Sequence, residues 1–372
     1  MSDFNSLAVI YASEGTGHKT AAFALCEAFL KTHPRGQIIC FDILDIIPHW
    51  LKYVISQGYL SMARYAPWLW GSFYWGSDKP GFQSRSFEAV HGGLCSFYLP
   101  RLESFLETRG AQAAVFTHYF GAAETSWHFG GRIPVFCADT DFESHRFQRR
   151  PGFAWSFAGS SRAMEQRLRE GITNVSAPGV PVSEKFTAGQ SKAEARKTLK
   201  LPQEGRVILV SGGGIGAGSV AAAAKSLARE KDWQTVIICG NNKALHAKLS
   251  GYFQSTPNVR TEGYVNNMEA YYAAADCAVM KPGGLSASEA LCAGLPMLLM
   301  DPVPGQEELN MGWLTSHGAA QTLVRPEKAA ENVAALFEGN RLAKLSEAAR
   351  KLAKPQAAAE IIEKISEFVK AE

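Results

Sequence analysis

Glycine, serine and carboxylates recur at short spacing between Ala278 and Asn310, where the chain reads AVMKPGGLSASEALCAGLPMLLMDPVPGQEELN. The turn Pro282-Gly283-Gly284 gives a backbone room to approach a ligand closely. Ser286 and Ser288 are read in the first helical turn that follows, where backbone N–H groups lack partners and the helix dipole is positive. Such a helix start seats a phosphate. Lys281 precedes the turn as a candidate cation, Glu289 follows it, and Gln306 and Glu307 return after the next strand. A phosphate seat flanked by carboxylates and an amide suits a nucleotide-sugar, with ribose and hexose hydroxyls around the anion.

Other candidates lie at strand ends. The turn Ser13-Glu14-Gly15-Thr16-Gly17-His18 resembles a dinucleotide loop but lacks GxGxxG, and only Asp42 and Asp45 offer an acid near the end of the next strand. Its distinctive member is His18, at the mouth of an open α/β sheet, where ligands bind. A histidine of near-neutral pKa can take a proton from a hydroxyl, although a lone loop histidine can equally be a cap. In Asp139-Thr140-Asp141-Phe142-Glu143-Ser144-His145, Asp141 and His145 are expected to pair, positioning a base or holding an acceptor hydroxyl. A metal there lacks a third ligand at a recognisable spacing, so neither metal nor cofactor is expected. His118 ends another strand and can meet ligand or cap a helix. The turn Ser211-Gly212-Gly213-Gly214-Ile215-Gly216 presents N–H groups, at Gly213 and Gly214 among others, to a phosphate or the transferred sugar. Val265, after Gly263-Tyr264, offers an N–H and C=O pair that can read the edge of a base.

The elements that must position these groups alternate in type. Leu7–Ala12 is a continuous apolar run, as in a buried parallel strand, and a helix follows from about Lys19 to Lys31. Gln37–Leu44 and the runs near Ala113, Ile133 and Trp155 continue the first array. Arg206–Val210 opens a second array, with QTVIICG, NVRTEGYV, DCAVMKP and PMLLMDP as its later strands. Two βαβ arrays in series predict an α/β protein of two doubly wound, Rossmann-like domains. The boundary is expected between Val182 and Ala195, where Pro, Ser and Gly replace the apolar period. A last helix spans Pro355–Glu372, with Ile361, Ile362, Ile365 and Phe368 as its apolar face.

Composition narrows the class. The chain has 372 residues, 46% hydrophobic and 20% charged, a folded profile too long for one ordinary core. A net charge of +3 suits an anionic ligand or anionic lipid surface and is weak for nucleic acid. The seven cysteines form no CxxC pair and read as buried thiols of a reducing compartment. No signal-peptide pattern and no uncharged spanning run is seen. A cytoplasmic protein, peripheral on the inner face of the membrane, is expected. One segment, Ile47–Phe82, breaks the alternation with Trp50, Trp68, Trp70 and Trp75 among interleaved cations. Such amphipathic aromatics suit an interfacial surface, or a helix pair packed on the core.

KPGGLSASEALCAGLPMLLMDPVPGQEELN, with GYVNNMEAYYAAADCAVM before it, resembles the monogalactosyldiacylglycerol synthase and processive diacylglycerol glucosyltransferase family. That family belongs to glycosyltransferase family 28 and is related to the transferase that forms lipid II. SEGTGHKTAAFAL, GYLSMARYAPWLWGSFYWGSD, VFCADTDFESH and VSGGGIGAG agree with it in order, across roughly Leu7 to Ala320. The resemblance implies a GT-B fold, two Rossmann-like domains facing a cleft. It implies an acceptor and membrane-binding domain over 1–185, a UDP-sugar domain over 186–354, and a helix over 355–372 that can return to the first domain. It implies inverting, metal-free transfer of glucose or galactose from UDP-glucose or UDP-galactose to diacylglycerol. Carried over by residue, Gly283, Gly284, Leu285 and Ser286 would hold diphosphate, Glu289 the ribose, and Val265 the uracil. Gln306 and Glu307 would meet the hexose, Gly17 would join the donor ligands, and His18 would lie beside the acceptor oxygen. The chain departs from the family at Glu14-Gly15-Thr16 and at Arg146-Phe147-Gln148, both near acceptor positions. Rival readings are transfer to another lipid or an isoprenoid-linked sugar, a UDP-N-acetylglucosamine epimerase, and a non-catalytic nucleotide-sugar sensor.

Overall fold

The computed structural model describes residues 4–13, 15–49, 52–53, 58, 66–79, 98–187, 189–216 and 218–371. Trp50 lies outside the described residues, as does much of the aromatic segment around it. Two compact units divide the chain. One comprises Met1–Ser183, Val303–Gln306 and Gln356–Glu372; the other comprises Glu184–Pro302 and Glu307–Pro355.

In the first unit the strands are β1 (Ser6–Tyr11), β2 (Gln37–Asp42), β3 (Ala113–Phe116), β4 (Val135–Ala138), β5 (Trp155–Phe157) and β6 (Val175–Ser176). They form one parallel sheet in the order β2-β1-β3-β4-β5-β6. β1 is buried along nearly its whole length, which is why its sequence, SLAVIY, shows no polar alternation. Helix α1 (Thr16–Thr32) follows β1, and α2 (Pro67–Ser77) lies between β2 and β3 in sequence. α3 (Ala122–Phe129) and α4 (Ser161–Arg169) follow β3 and β5. Ser160 caps α4 by accepting from the Ala163 N–H at 3.1 Å. The last helix of the chain, Ala357–Ala371, buries Ile361, Ile362 and Ile365 with Leu7, Val9, Leu25 and Phe29 on one face of this sheet.

The second unit carries β7 (Arg206–Ser211), β8 (Trp233–Ile238), β9 (Val259–Glu262), β10 (Cys277–Met280), β11 (Met297–Leu299) and β12 (Ala320–Thr322). All pair in parallel, in the order β12-β11-β10-β7-β8-β9. This is the doubly wound order whose direction reverses between its first and fourth strands. A helix capped by a reciprocal Ser191–Glu194 box, Lys192–Leu199, leads into β7.

The edge strands β6 and β12 exceed the periodicity reading. They are two and three residues long, too short to carry an apolar period. The return of Val303–Gln306 to the first unit was also invisible in sequence.

Candidate active site

Each sheet reverses its strand order at one point, and there the carboxyl ends of two strands leave a crevice for ligand. In the second unit this point lies between β7 and β10. The chain leaves β10 through Lys281, Pro282 and Gly283 and enters the helix Gly284–Cys292 with no side chain capping its first N–H groups. Gly284 and Leu285 are buried and Ser286 is half-buried. Asn310, fully buried, donates to the Pro282 carbonyl at 3.1 Å and fixes the turn. Ser288, read above as part of the phosphate-facing turn, is corrected. It sits one turn further in, buried, and donates its hydroxyl to the Gly284 carbonyl at 2.8 Å.

Glu289 is 6% exposed. Among the described residues no donor holds its carboxylate, and burial pushes its pKa up to about 8; Lys185 draws it down and Glu269 pushes it further up. A buried acceptor without a donor is costly unless something else supplies one. The neighbouring Tyr272 hydroxyl reaches the Ser286 carbonyl at 3.4 Å instead. Lys281 is not a lone cation: its ammonium lies 3.0 Å from the Glu307 carboxylate, and both are largely buried. Val265 stands half-buried in the loop between β9 and the helix Met268–Ala274. Among the described residues nothing pairs its backbone N–H or C=O.

The glycine turn after β7 is braced from beneath. Gly240, at φ +56, lies so close to it that a Cβ there would come within 2.5 Å of the Gly214 oxygen. The Asn241 N–H donates to the same oxygen at 2.8 Å. The Gly213 N–H is already used, donating to the Ser211 hydroxyl at 3.2 Å. Next along, Asp301 accepts from the Ser219 N–H at 2.5 Å while itself held at φ 47, a left-handed conformation costly for a non-glycine residue.

In the first unit the order reverses between β1 and β3. Gly17 and His18 lie in the first turn of α1, which also lacks a side-chain cap. The Nδ1 N–H of His18 donates to the Thr117 carbonyl at 2.8 Å, with the Thr140 hydroxyl 3.0 Å away. The Thr117 hydroxyl returns a bond to the His18 carbonyl at 2.9 Å. This clasp selects the tautomer with its lone pair on Nε2, which no other described residue engages. Burial lowers the His18 pKa against the Thr117 bond that raises it, so the ring is neutral at pH 7. The His118 ring packs on it edge-on at 4.5 Å and accepts from the Phe120 N–H at 3.1 Å. Thr117 and Thr140 are the groups that sequence reasoning missed. Their only signal is that each sits at the end of a strand. Asp42 does not face a ligand: it accepts from the Leu44 and Ser13 N–H groups at 2.9 and 3.3 Å.

The expected Asp141–His145 pair does not form. Both ring nitrogens of His145 are engaged elsewhere, Nε2 with the Tyr74 carbonyl and Ser77 hydroxyl at 3.2 Å each, and Nδ1 with the Phe147 N–H at 3.3 Å. His145 is buried and ties the loop after β4 to α2. Asp141 is half-buried, its carbonyl seated on Gly159. The loop itself hangs on a buried ion pair: Arg167 donates to both Asp139 oxygens at 2.7 and 2.9 Å, and Ser144 donates to Asp139 at 2.5 Å.

Of the aromatics, Trp68 and Trp75 are 70% and 41% exposed, with Leu69 and Phe73 beside them. Trp70, expected at the same surface, is corrected. At 8% exposure it faces inward with Tyr74 and Ser77, four and seven residues on, as helical period requires. No helix among the described residues is long and apolar enough to cross a membrane.

Two doubly wound α/β units, each with a helix start at its switch point that no side chain caps, define a two-domain α/β class suited to anionic ligands. Residues 18–182 match the family model for monogalactosyldiacylglycerol (MGDG) synthase, and residues 192–364 that for glycosyl transferases group 1. The chain is 27% identical to monogalactosyldiacylglycerol synthase 2, chloroplastic, of Arabidopsis thaliana, over 97% of this chain and 80% of that one. It is 26% identical to processive diacylglycerol beta-glucosyltransferase of Bacillus licheniformis, over 91% of this chain and 88% of that one. Its fold is similar to the crystal structure of Acinetobacter baumannii MurG, with a TM-score of 0.62 at 16% identity, covering 98% and 99% of the two chains. The fold is GT-B. The two models together account for most of the chain, and it is a glycosyltransferase.

Proposed function

We propose that this enzyme transfers glucose or galactose from a UDP-sugar to the hydroxyl of diacylglycerol at a membrane surface, with inversion at the anomeric carbon. The observation that carries the donor class is Glu289, a buried carboxylate with no donor among the described residues, five residues beyond an uncapped helix start. Ribose hydroxyls supply the missing donors, and the N–H groups of Gly284, Leu285 and Ser286 receive the diphosphate. Gly214 brings further backbone close to the donor, the Val265 backbone reads uracil, and Gln306 and Glu307 meet the hexose. Both relatives are named for glycosylated diacylglycerol or its glucosylation, and the exposed Trp68 and Trp75 suit contact with a lipid interface.

The chemistry follows from these groups. Nε2 of His18 takes the proton of the acceptor hydroxyl. The hydroxyl oxygen then forms a bond to the anomeric carbon as the bond to the β-phosphate oxygen breaks, and UDP leaves with the electron pair. Fixed N–H groups meet the charge that develops on the leaving phosphate without reorganising. That assignment gives UDP departure a stabiliser other than a metal ion.

The test is incubation with diacylglycerol vesicles and either UDP-glucose or UDP-galactose, followed by mass and linkage analysis of the lipid. A β-linked glycosyl-diacylglycerol is expected. Donor binding with no lipid product would favour a nucleotide-sugar sensor, and product only on another lipid would move the acceptor.

A further inference from the structure

Three strand exits of the second unit meet at Gly218: the glycine turn after β7, Lys281 after β10, and Asp301 after β11. Gly218, at φ +84, sits where an added Cβ would lie 3.0 Å from the Asp301 carboxylate and 3.5 Å from the Lys281 side chain. The next N–H, that of Ser219, donates to the Asp301 carboxylate at 2.5 Å, across 82 positions. Ser219 opens the helix Val220–Leu227 and does not cap it with its own side chain. On its other side the turn is fixed by the exit of β8. Gly216 is pressed against the Cys239 carbonyl, where a Cβ would come within 2.1 Å of the oxygen, and the Asn242 amide donates to the Gly216 carbonyl at 3.0 Å. Among the described residues, Asp301 is the side chain that bonds this turn from the side of β10 and β11.

Asp301 keeps that place at a cost to its own backbone. Among the described residues only Lys200 and Asp301 have positive φ without being glycine. Lys200 ends a helix, where the left-handed conformation is ordinary. Asp301 follows a strand, at φ 47, and has no such reason. Strain of this kind persists where surrounding contacts over-determine it, and it gathers at ligand sites. The contact on the page that does so is the bond to Ser219. Through it, and through Lys281 beside Gly218, the end of the β7 turn is held against the exit of β10 that leads into Pro282-Gly283-Gly284.

We propose that Asp301 is a positioning residue for the donor, holding the glycine turn after β7 in the shape that receives a UDP-hexose beside the helix start at Gly284. This rests on the reading that the turn meets the donor. All the residues concerned lie in the second unit. Three substitutions separate position from stability. Asp301→Asn keeps an acceptor oxygen for Ser219 and tolerates the left-handed backbone. Asp301→Gly removes the acceptor and relieves the backbone, whereas Asp301→Ala removes the acceptor and keeps the strain. Asp301→Asn is therefore expected to bind UDP-hexose as the parent does. Asp301→Gly and Asp301→Ala should raise the Kd alike, by about 5- to 10-fold, the range of one hydrogen bond. Asp301→Gly should nonetheless melt above Asp301→Ala. A merely structural role would make affinity follow Tm.

The experiment measures Tm and calorimetric Kd for UDP-glucose and UDP-galactose, at one pH, for the parent, the three Asp301 variants and Gly213→Ala. Gly213 has φ +72 and no described atom within 4 Å of an added Cβ, so alanine there disturbs the turn through its backbone without a clash. It too is expected to weaken donor binding. If Gly213→Ala weakens binding while Asp301→Gly and Asp301→Ala bind like the parent, the inference is overturned and the reading of the turn stands. Asp301→Asn binding as weakly as Asp301→Gly overturns it as well, because the charge and not the bond to Ser219 would then act. Affinity that tracks Tm across the series does the same. A donor affinity unmoved by Gly213→Ala removes the reading that the turn meets the donor, and the role of Asp301 with it.

Discussion

Binding of a UDP-hexose should expel a proton from Glu289. Its carboxyl has a pKa of about 8 in the free protein because burial disfavours the ionised form. At pH 7 about nine in ten molecules therefore carry the proton there. Ribose hydroxyls donate more strongly to the ionised carboxylate than to the neutral acid, so binding favours that form and returns the pKa toward the ordinary carboxylate range. With a free pKa of 8, the apparent Kd falls by about 50-fold between pH 6 and pH 8, close to 2.3 kcal/mol. About 0.9 proton is released per donor bound at pH 7. Calorimetric titration in buffers of different ionisation enthalpy reads both quantities. UDP-glucose is the correct probe, since its diphosphate is esterified at both ends and lacks the phosphate ionisation near pH 6 that free UDP shows. Glu289→Gln should bind weakly and with no pH dependence. An affinity that stays flat from pH 6 to 8, with heats independent of buffer, would refute the assignment of Glu289 to the ribose. The same ionisation appears in stability. A folded pKa raised above the unfolded value means that the contribution of Glu289 to the stability of the ligand-free protein is full below about pH 4 and is lost as pH rises toward 8. The loss is up to about 5 kcal/mol, and Glu289→Gln should recover it.

Replacing His18 by Ala should lower kcat by at least ~10²-fold while leaving UDP affinity intact; equal loss of UDP binding would mark a structural role. Because burial lowers the His18 pKa, the ring stays neutral somewhat below pH 6.5. The acid limb of the pH–rate profile should accordingly fall below that value, and a limb centred above it would point to a different base. Trp68→Ser with Trp75→Ser should abolish co-sedimentation with anionic liposomes without changing Tm, whereas unaltered sedimentation would remove the lipid-facing role of α2. Arg167→Leu should cost about 3–5 kcal/mol, because it strands the buried Asp139 carboxylate. Adding Asp139→Leu should recover part of that loss, and a double variant less stable than the single one would contradict the desolvation argument.

Much of the scaffold is legible in the chain because parallel strands buried on both faces are written as unbroken apolar runs. SLAVIY, RVILVS and CAVM are visible for that reason, and the glycine turns behind β1, β7 and β10 mark where each strand gives way to a helix. The short edge strands escape, since two or three residues hold no period. Ser288 was misassigned by one turn because helix starts are the least certain boundaries in a sequence. The aromatic segment misleads in a different way. Trp68, Trp70 and Trp75 are equally apolar in composition, and only the packing of α2 separates two outward rings from one inward ring.

The residue types and their local spacing were sufficient for the α/β class, for the two arrays, and for a phosphate seat followed by a carboxylate, because helix starts and glycine turns are local structures governed by neighbouring residues. Tertiary structure alone decided the partners. It joined His18 to Thr117 and Thr140 across about a hundred residues or more, withdrew His145 into contact with α2, and gave the Lys281 ammonium to Glu307. It also brought Trp70 to Gln306 across 236 positions. The physical reason is that a side chain's protonation, tautomer and donor direction are set by groups that touch it, and those groups arrive only when distant strands have packed.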